Sequence, residues 1–323
     1  MNDLNLIGIN MKNDKRSMLG NWLHYGRNIL VLFAVSLLSM CQQKKKELQF
    51  PVKVGVNPES ITKGFGDNYY VTVMNGDVPG DGEVVEISPD GVKVFAKGFN
   101  QPKGIVFLNN NLYFSDVTRV WKVDSAGNAS IFVDSTGFPE EALYLNDVSL
   151  NTQANGIYVA DMGATKYMRD SSNQLWPIDS EQAKLIPALG RIYHIDLAGK
   201  ATIAVDTSAL LLNPNGVGID NKGQLMVGEF FRGNFLVMKN GQLAPLKGQF
   251  RGADAVEQDK EGNYYVSSWV AGTVWKINGE TEEATVLIDG LKSAADFYLE
   301  EDKGRLLLPD MLEGVVHSVD INK

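Results

Sequence analysis

NPNGVGIDNKGQLMVGE, residues 213 to 229, decides how the rest of the chain is read. Asn-Gly is the commonest tight-turn dipeptide, yet Asn215-Gly216 leads into the apolar run VGI, which reads as the start of a buried strand. DNKG (220–223) has turn chemistry, and QLMVGE after it reads as a second strand. The unit is therefore a polar lead-in, a strand, a turn and a strand, with two further strands in the residues that follow.

The unit recurs six times. Its lead-ins are NPESI, QPKGIVF, YLNDVSL, NPNGVGI, GADAVEQ and SAADFYL, and its second strands are NYYVTV, NLYFSD, GIYVAD, QLMVGE, NYYVSS and RLLLPD. DKEG (259–262) and EDKG (301–304) repeat the turn of DNKG. Aligning the lead-ins places Glu59, Lys103, Asn146, Asn215, Asp254 and Asp296 in one column, at spacings of 44, 43, 69, 39 and 42 residues. A period of roughly 40 to 45 residues with four strands per repeat predicts an all-β fold, a six-bladed β-propeller with four antiparallel strands per blade. The gap of 69 holds one period plus an insert at about residues 163–189. This loop is expected to overhang the axis, with Tyr167, Met168 and Trp176 forming a lid or wall, or else packing on a neighbouring blade. The sixth repeat supplies three strands, through GVVHSVDI, so FPVKVGV (50–56) is expected to close the last blade as its outer strand. Residues 50–323 then make one propeller domain.

Bulk composition agrees with an ordinary globular chain: 44% hydrophobic and 21% charged residues, with a formal charge of -9. The acidic balance argues against nucleic acid as a partner. Lys12, Lys15, Arg16 and Arg27 precede the apolar stretch ILVLFAVSLLSM (29–40), which has the length of a secretory h-region. It ends at Cys41, the single cysteine, and LSMC resembles a bacterial lipoprotein cleavage box, with Met40 where a small residue is preferred. Residues 1–40 are thus expected to be a signal peptide of lipoprotein type, Cys41 the lipidated residue, and residues 41–49 a solvated tether. An uncleaved signal anchor is the other reading, and Met11 or Met18 would serve equally as the start. The expected location is the cell envelope, with export and a lipid anchor in a bacterial membrane. A monomer acting on a small-molecule substrate is expected, and a lone cysteine forbids an intrachain disulfide.

In a propeller the first strand of each blade lines the axis, so the aligned column becomes a constellation. Glu59, Asn146, Asn215 and Asp254 would bring two carboxylates and two amide oxygens together, an all-oxygen set suited to one hard divalent cation, Ca²⁺ first. Each residue alone also has a turn reading. Lys103 reads either as the grip for an anionic substrate group or as a salt-bridged or outward-turned side chain, with Asp296 as its partner in the column. The second-strand ends Asp116, Asp161, Glu229, Ser268 and Asp310 read mainly as turn caps. His24 lies in the leader; His194 and His317 lie in third strands, away from the axis.

The order Glu, Asn, Asn, Asp, carried in NPES, YLNDVSLNTQANGIYVAD, NPNGVGIDNKGQLMVGE and ADAVEQDKEGNYYVSSW, resembles the regucalcin (senescence marker protein 30) and gluconolactonase family. Paraoxonases and diisopropylfluorophosphatase share its six-bladed, calcium-centred plan. The resemblance implies a catalytic divalent cation at Glu59, Asn146, Asn215 and Asp254, with Asp254 as general base or nucleophile, and hydrolysis of a lactone or ester. Tyr144 stands where sugar lactonases carry Arg, which points away from a sugar lactone. Lys103, Tyr144, Asp296 and Trp269 are expected to touch the substrate, with Phe230 and Phe231 as further apolar walls. The rival reading is a non-catalytic propeller that a metal stabilises for binding a ligand or protein. A third likeness, to strictosidine-synthase-like propellers, would need no metal.

Overall fold

The computed structural model describes residues 48–76, 78–151 and 155–322. Runs of β-branched and aromatic residues are cut by short turns in which Gly223 and Gly262 take the positive φ that other residues avoid (76° and 89°). The result is six four-stranded antiparallel sheets, five of them formed in chain order. Blade I is typical, with strands Pro58–Lys63, Tyr69–Val73, Gly82–Ser88 and Gly91–Phe99. The first, inner strands of blades II to V are Pro102–Leu108, Leu145–Asn151, Pro214–Ile219 and Ala253–Gln258.

Blade VI is assembled from both ends of the domain. Tyr298–Glu300, Arg305–Asp310 and Val315–Asp320 are joined by Val52–Lys53, which pairs antiparallel with the last strand. Val52 lies opposite Val316 and Lys53 opposite Val315, and the Val54 N–H donates to the Gly314 carbonyl at 3.1 Å. The ring thus closes as expected from the repeat count. The leader, Cys41, most of the tether and Asp77 lie outside the described residues. Among the described residues no helix is long and apolar enough to cross a membrane.

Stability comes from the seams between blades. Tyr70 and Phe99 of blade I pack on Phe114 and Leu112 of blade II, with the Phe99 and Phe114 rings edge to face at 4.7 Å. Comparable clusters fill the other five seams, the last joining Leu307 and Val316 of blade VI to Val71 and Val73 of blade I. Stacked blades bury both faces of their strands. This is why LMVGE and LLLPD read as nearly continuous apolar runs rather than alternating ones.

Candidate functional site

The inner strands carry the site, and a shared irregularity aims it. In blade I, Pro58 faces Val73 and Ile61 faces Val71, so Glu59 and Ser60 together oppose Thr72. The same one-residue bulge follows Pro102, Leu145, Pro214 and Ala253. A bulge redirects the side chain of the extra residue, and the residue it redirects is Glu59, Lys103, Asn146, Asn215 or Asp254. Hydroxyls brace the bulges: the Ser60 N–H donates to Thr72 Oγ1 at 3.0 Å and the Ala255 N–H to Ser267 Oγ at 2.9 Å. Asn215-Gly216 is therefore no turn, since both residues lie within Pro214–Ile219. A Cβ on Gly216 would stand 1.6 Å from the Asp254 carbonyl oxygen, so glycine is what lets blade V approach blade IV.

Buried carboxylates at the second-strand ends hold the lead-ins in place. Asp161 accepts the Leu143, Tyr144 and Gly163 N–H groups, each at 2.9 Å. Glu229 accepts those of Asn213, Phe231 and Arg232; Asp116 and Asp310 do the same for residues 100–101 and 292–293. Ser268 uses its hydroxyl, donating to the Arg251 carbonyl. These side chains cap turns, and in doing so set the approach of each inner strand.

A cavity of about 330 Å³ opens at the inner-strand starts, and Glu59, Lys103, Asn146, Asn215 and Asp254 line it together. All five are buried. Glu59 Oε2, Asn146 Oδ1 and Asn215 Oδ1 have no hydrogen-bond partner. Both amides turn nitrogen toward protein: Asn215 Nδ2 donates to Asp254 Oδ1 (2.9 Å) and the Ala253 carbonyl (3.2 Å), and Asn146 Nδ2 to Met162 Sδ (3.1 Å). Burial pushes the Glu59 carboxyl well above the usual range, and the neighbouring Asp254 adds to this while Lys103 opposes it. Asp254 is raised by burial and by Asp147, against the Asn215 hydrogen bond. Three buried oxygens without donors, one on the Glu59 carboxyl and two on amides, beside the Asp254 carboxyl, fit a hard divalent cation.

The walls come from two sources. One is the residue after each second strand: Met74, Met162, Phe230, Trp269 and Met311. Only Phe230 and Trp269 were expected from the sequence; the column itself, Met, Val, Met, Phe, Trp, Met, was there to be read one position beyond the carboxylates. The other source is the insert, which contributes Thr165, Lys166, Met168 and Arg169 beside Tyr144 of the lead-in. The insert also packs down, since Met168, Ala183 and Ile186 share a core with Leu212, Phe230 and Phe231. Arg251 Nη2 holds the Trp176 carbonyl at 2.5 Å. Both roles expected of this loop are thus present. Trp176 and Phe231 pack rather than line the cavity, and Tyr167 is half exposed.

Asp296 is not with the others. Ala294 bridges Asp310 and Tyr298 faces Leu307, which puts Ala295 in register with Glu59 and moves Asp296 into the next column, with Ser60 and Asp147. Equal spacing misaligned it by one residue. It lines a second cavity of about 450 Å³, further along the inner strands, with Asp147 and Glu257, and accepts a hydrogen bond from Ser60 Oγ. It is no partner for Lys103, which makes no ion pair among the described residues. His194 packs near Tyr158 in its third strand. His317 approaches Glu313 and Asp310 closely enough to hold an ion, but none of the three lines the first cavity, and both Asp310 oxygens already accept backbone N–H groups.

No family model matches the chain, and no curated protein does. The likeness to the regucalcin and gluconolactonase family therefore stands on the residues that carry it. Among solved structures, the chain is similar to a catalytically inactive variant of virginiamycin B lyase from Staphylococcus aureus with quinupristin, at 12% identity and TM-score 0.58, covering 82% of this chain and 81% of that one. The selenomethionine-substituted virginiamycin B lyase from the same organism is similar at 10% identity and TM-score 0.55, with 80% and 79% covered. At such identities the likeness shows a shared propeller fold.

Proposed function

We propose that the chain is a metal-dependent hydrolase of a lactone or ester, with one divalent cation, Ca²⁺ first, held by Glu59, Asn146, Asn215 and Asp254. The observation that carries this reading is the three buried, unpartnered oxygens that converge with Asp254 on one cavity floor. A bound cation would supply Lewis acidity toward a carbonyl oxygen and lower the pKa of a water molecule. Asp254 is fixed through Oδ1 by the Asn215 amide, and serves either as general base toward water or as nucleophile toward the carbonyl carbon. Tyr144, Met162, Phe230 and Trp269 supply apolar walls for the rest of the substrate. The apolar run at residues 29–40 and Cys41 after it support reading the protein as exported and lipid-anchored, with its activity in the cell envelope.

The test is turnover of a panel of lactones, aryl esters and phosphotriesters by the purified protein, with Ca²⁺ or with chelator, beside Asp254→Ala. Turnover that requires the ion and is lost in the variant supports the hydrolase. One observation favours the rival, non-catalytic reading: Asn215 also ties blade IV to blade V through Ala253 and Asp254, so a cation there would brace the ring. Binding of one ion without turnover of any ester or lactone would select that reading.

A further inference from the structure

We infer that the substrate carries a carboxylate besides its scissile ester or lactone bond, and that Lys103 grips it, with Lys166 and Arg169 on the insert drawing it in. The inference rests on the cation-holding floor proposed above. Lys103 is 3% exposed, so it is not turned outward. It is not salt-bridged either. Its Nζ donates to the Gln101 carbonyl at 3.1 Å and, weakly, to Gln101 Oε1 at 3.5 Å, and lies 4.4 Å from the centre of the Tyr144 ring. An ammonium has three donors; its hydrogen bonds among the described residues go to Gln101 alone, and the residue lines the cavity. Tyr144 OH also donates to Gln101 Oε1, at 3.2 Å, so the ring under the ammonium is itself fixed.

Burying a cation without a contact ion pair is costly, and with Glu59, the carboxylate whose charge it feels, committed to a cation, the site is one where an anion arrives. Lys166, which is exposed, and Arg169, which is half-buried, add further positive charge at the wall. Lys166 lies over the Tyr167 ring at 5.1 Å, and Arg169 Nη1 donates to the Asn173 carbonyl at 3.0 Å. Among the described residues neither forms an ion pair. The cavity is lined by two carboxylates, Glu59 and Asp254, and three cations. A divalent ion on the two carboxylates leaves all three cations unanswered, in a chain whose net charge is -9. Local positive potential within an acidic protein selects anions. The methionine and aromatic walls then take the apolar part of the same molecule.

The experiment compares an aryl hemisuccinate, which carries a free carboxylate, with its neutral methyl-capped twin, in the calcium-loaded protein and in Lys103→Met. The expected result is a preference of at least about tenfold in kcat/KM for the carboxylate ester, and a fall of about tenfold in that preference in the variant. Calorimetric titration with phenylacetate gives a readout free of turnover, with about tenfold weaker binding expected in Lys103→Met. Should that variant not fold, Lys166→Met with Arg169→Met leaves the inner strand untouched and is expected to reduce the preference severalfold. Equal use of both esters, or phenylacetate binding that is insensitive to all three lysine and arginine changes, overturns the inference while leaving the hydrolase in place. Lys103-dependent phenylacetate binding with no ester turned over supports the anion grip and removes the hydrolase.

Discussion

The two cavities on the propeller axis are built from the same inner strands and are chemically opposed. The one at the strand starts combines unpartnered oxygens with lysine and arginine walls. The one further along is lined by Asp147, Asp220, Glu257 and Asp296 and by no basic side chain. Yet two of these carboxyl groups are answered from within: Asp147 Oδ1 and Oδ2 accept the Val148 and Val217 N–H groups at 2.6 and 2.7 Å, and Asp296 accepts from Ser60. Burial still pushes Asp147 up to about 6 and Glu257 up to about 8. The difference lies at the bulge, where adjacent residues are sent to opposite cavities. Acidic character alone does not mark a site; buried oxygens left without donors do.

The strongest way to break this comparison is to close the bulge. Gly216→Ala forces a Cβ onto the Asp254 carbonyl, and backbone cannot yield as a side chain would. Urea titration should show a loss of about 3 kcal/mol, with cation affinity falling as well. The next effect separates the cavities. Glu59→Gln should weaken Ca²⁺ binding by roughly 100-fold in calorimetry, because it removes one of two charges facing the ion. Asp296→Asn, in the other column, should change it by less than about tenfold. Comparable losses from both would merge the two cavities into one site.

A third measurement concerns the latches. Burial pushes Glu229 up from 4.5 to about 7, against its three backbone hydrogen bonds. A folded pKa raised above the unfolded one gives stability that is full below pH 4.5 and is lost as pH rises through about 7. The slope from this group approaches about 1.4 kcal/mol per pH unit inside that window. Glu229→Gln should flatten the urea midpoint between pH 4.5 and 7 relative to the parent. The smallest effect belongs to the insert's outer face. Tyr167→Ala, at 48% exposure and outside the cavity lining, should shift stability by no more than about 0.5 kcal/mol. A larger shift would make the insert's surface part of the fold.

The blades were legible because turns such as DNKG and DKEG recur at a fixed distance from apolar runs, and ring closure followed from a strand short in the last repeat. Glu59, Asn146, Asn215 and Asp254 were legible as a column for the same reason, and the structure brings them together. Asp296 was misplaced because SAAD offers two small residues before its acid, and a one-residue bulge is invisible to spacing. Met74, Met162 and Met311 were missed since a methionine after a strand looks like core until several fall in register. The isolation of Lys103 could not be read at all, as it depends on which carboxylates fail to reach it.

The seam at Val52–Lys53 also bears on where the ring would open. The ring has one joint held by the two-residue pairing of Val52–Lys53 with the last strand, and it lies in blade VI, whose lead-in presents Ala295 where the others present Glu59, Lys103, Asn146, Asn215 or Asp254. Opening this joint would leave intact the four oxygen-bearing inner strands, in blades I, III, IV and V. The non-covalent joint of the ring thus falls in one of the two blades that bring no oxygen to the site, so fraying there would begin away from the site's oxygen-bearing strands.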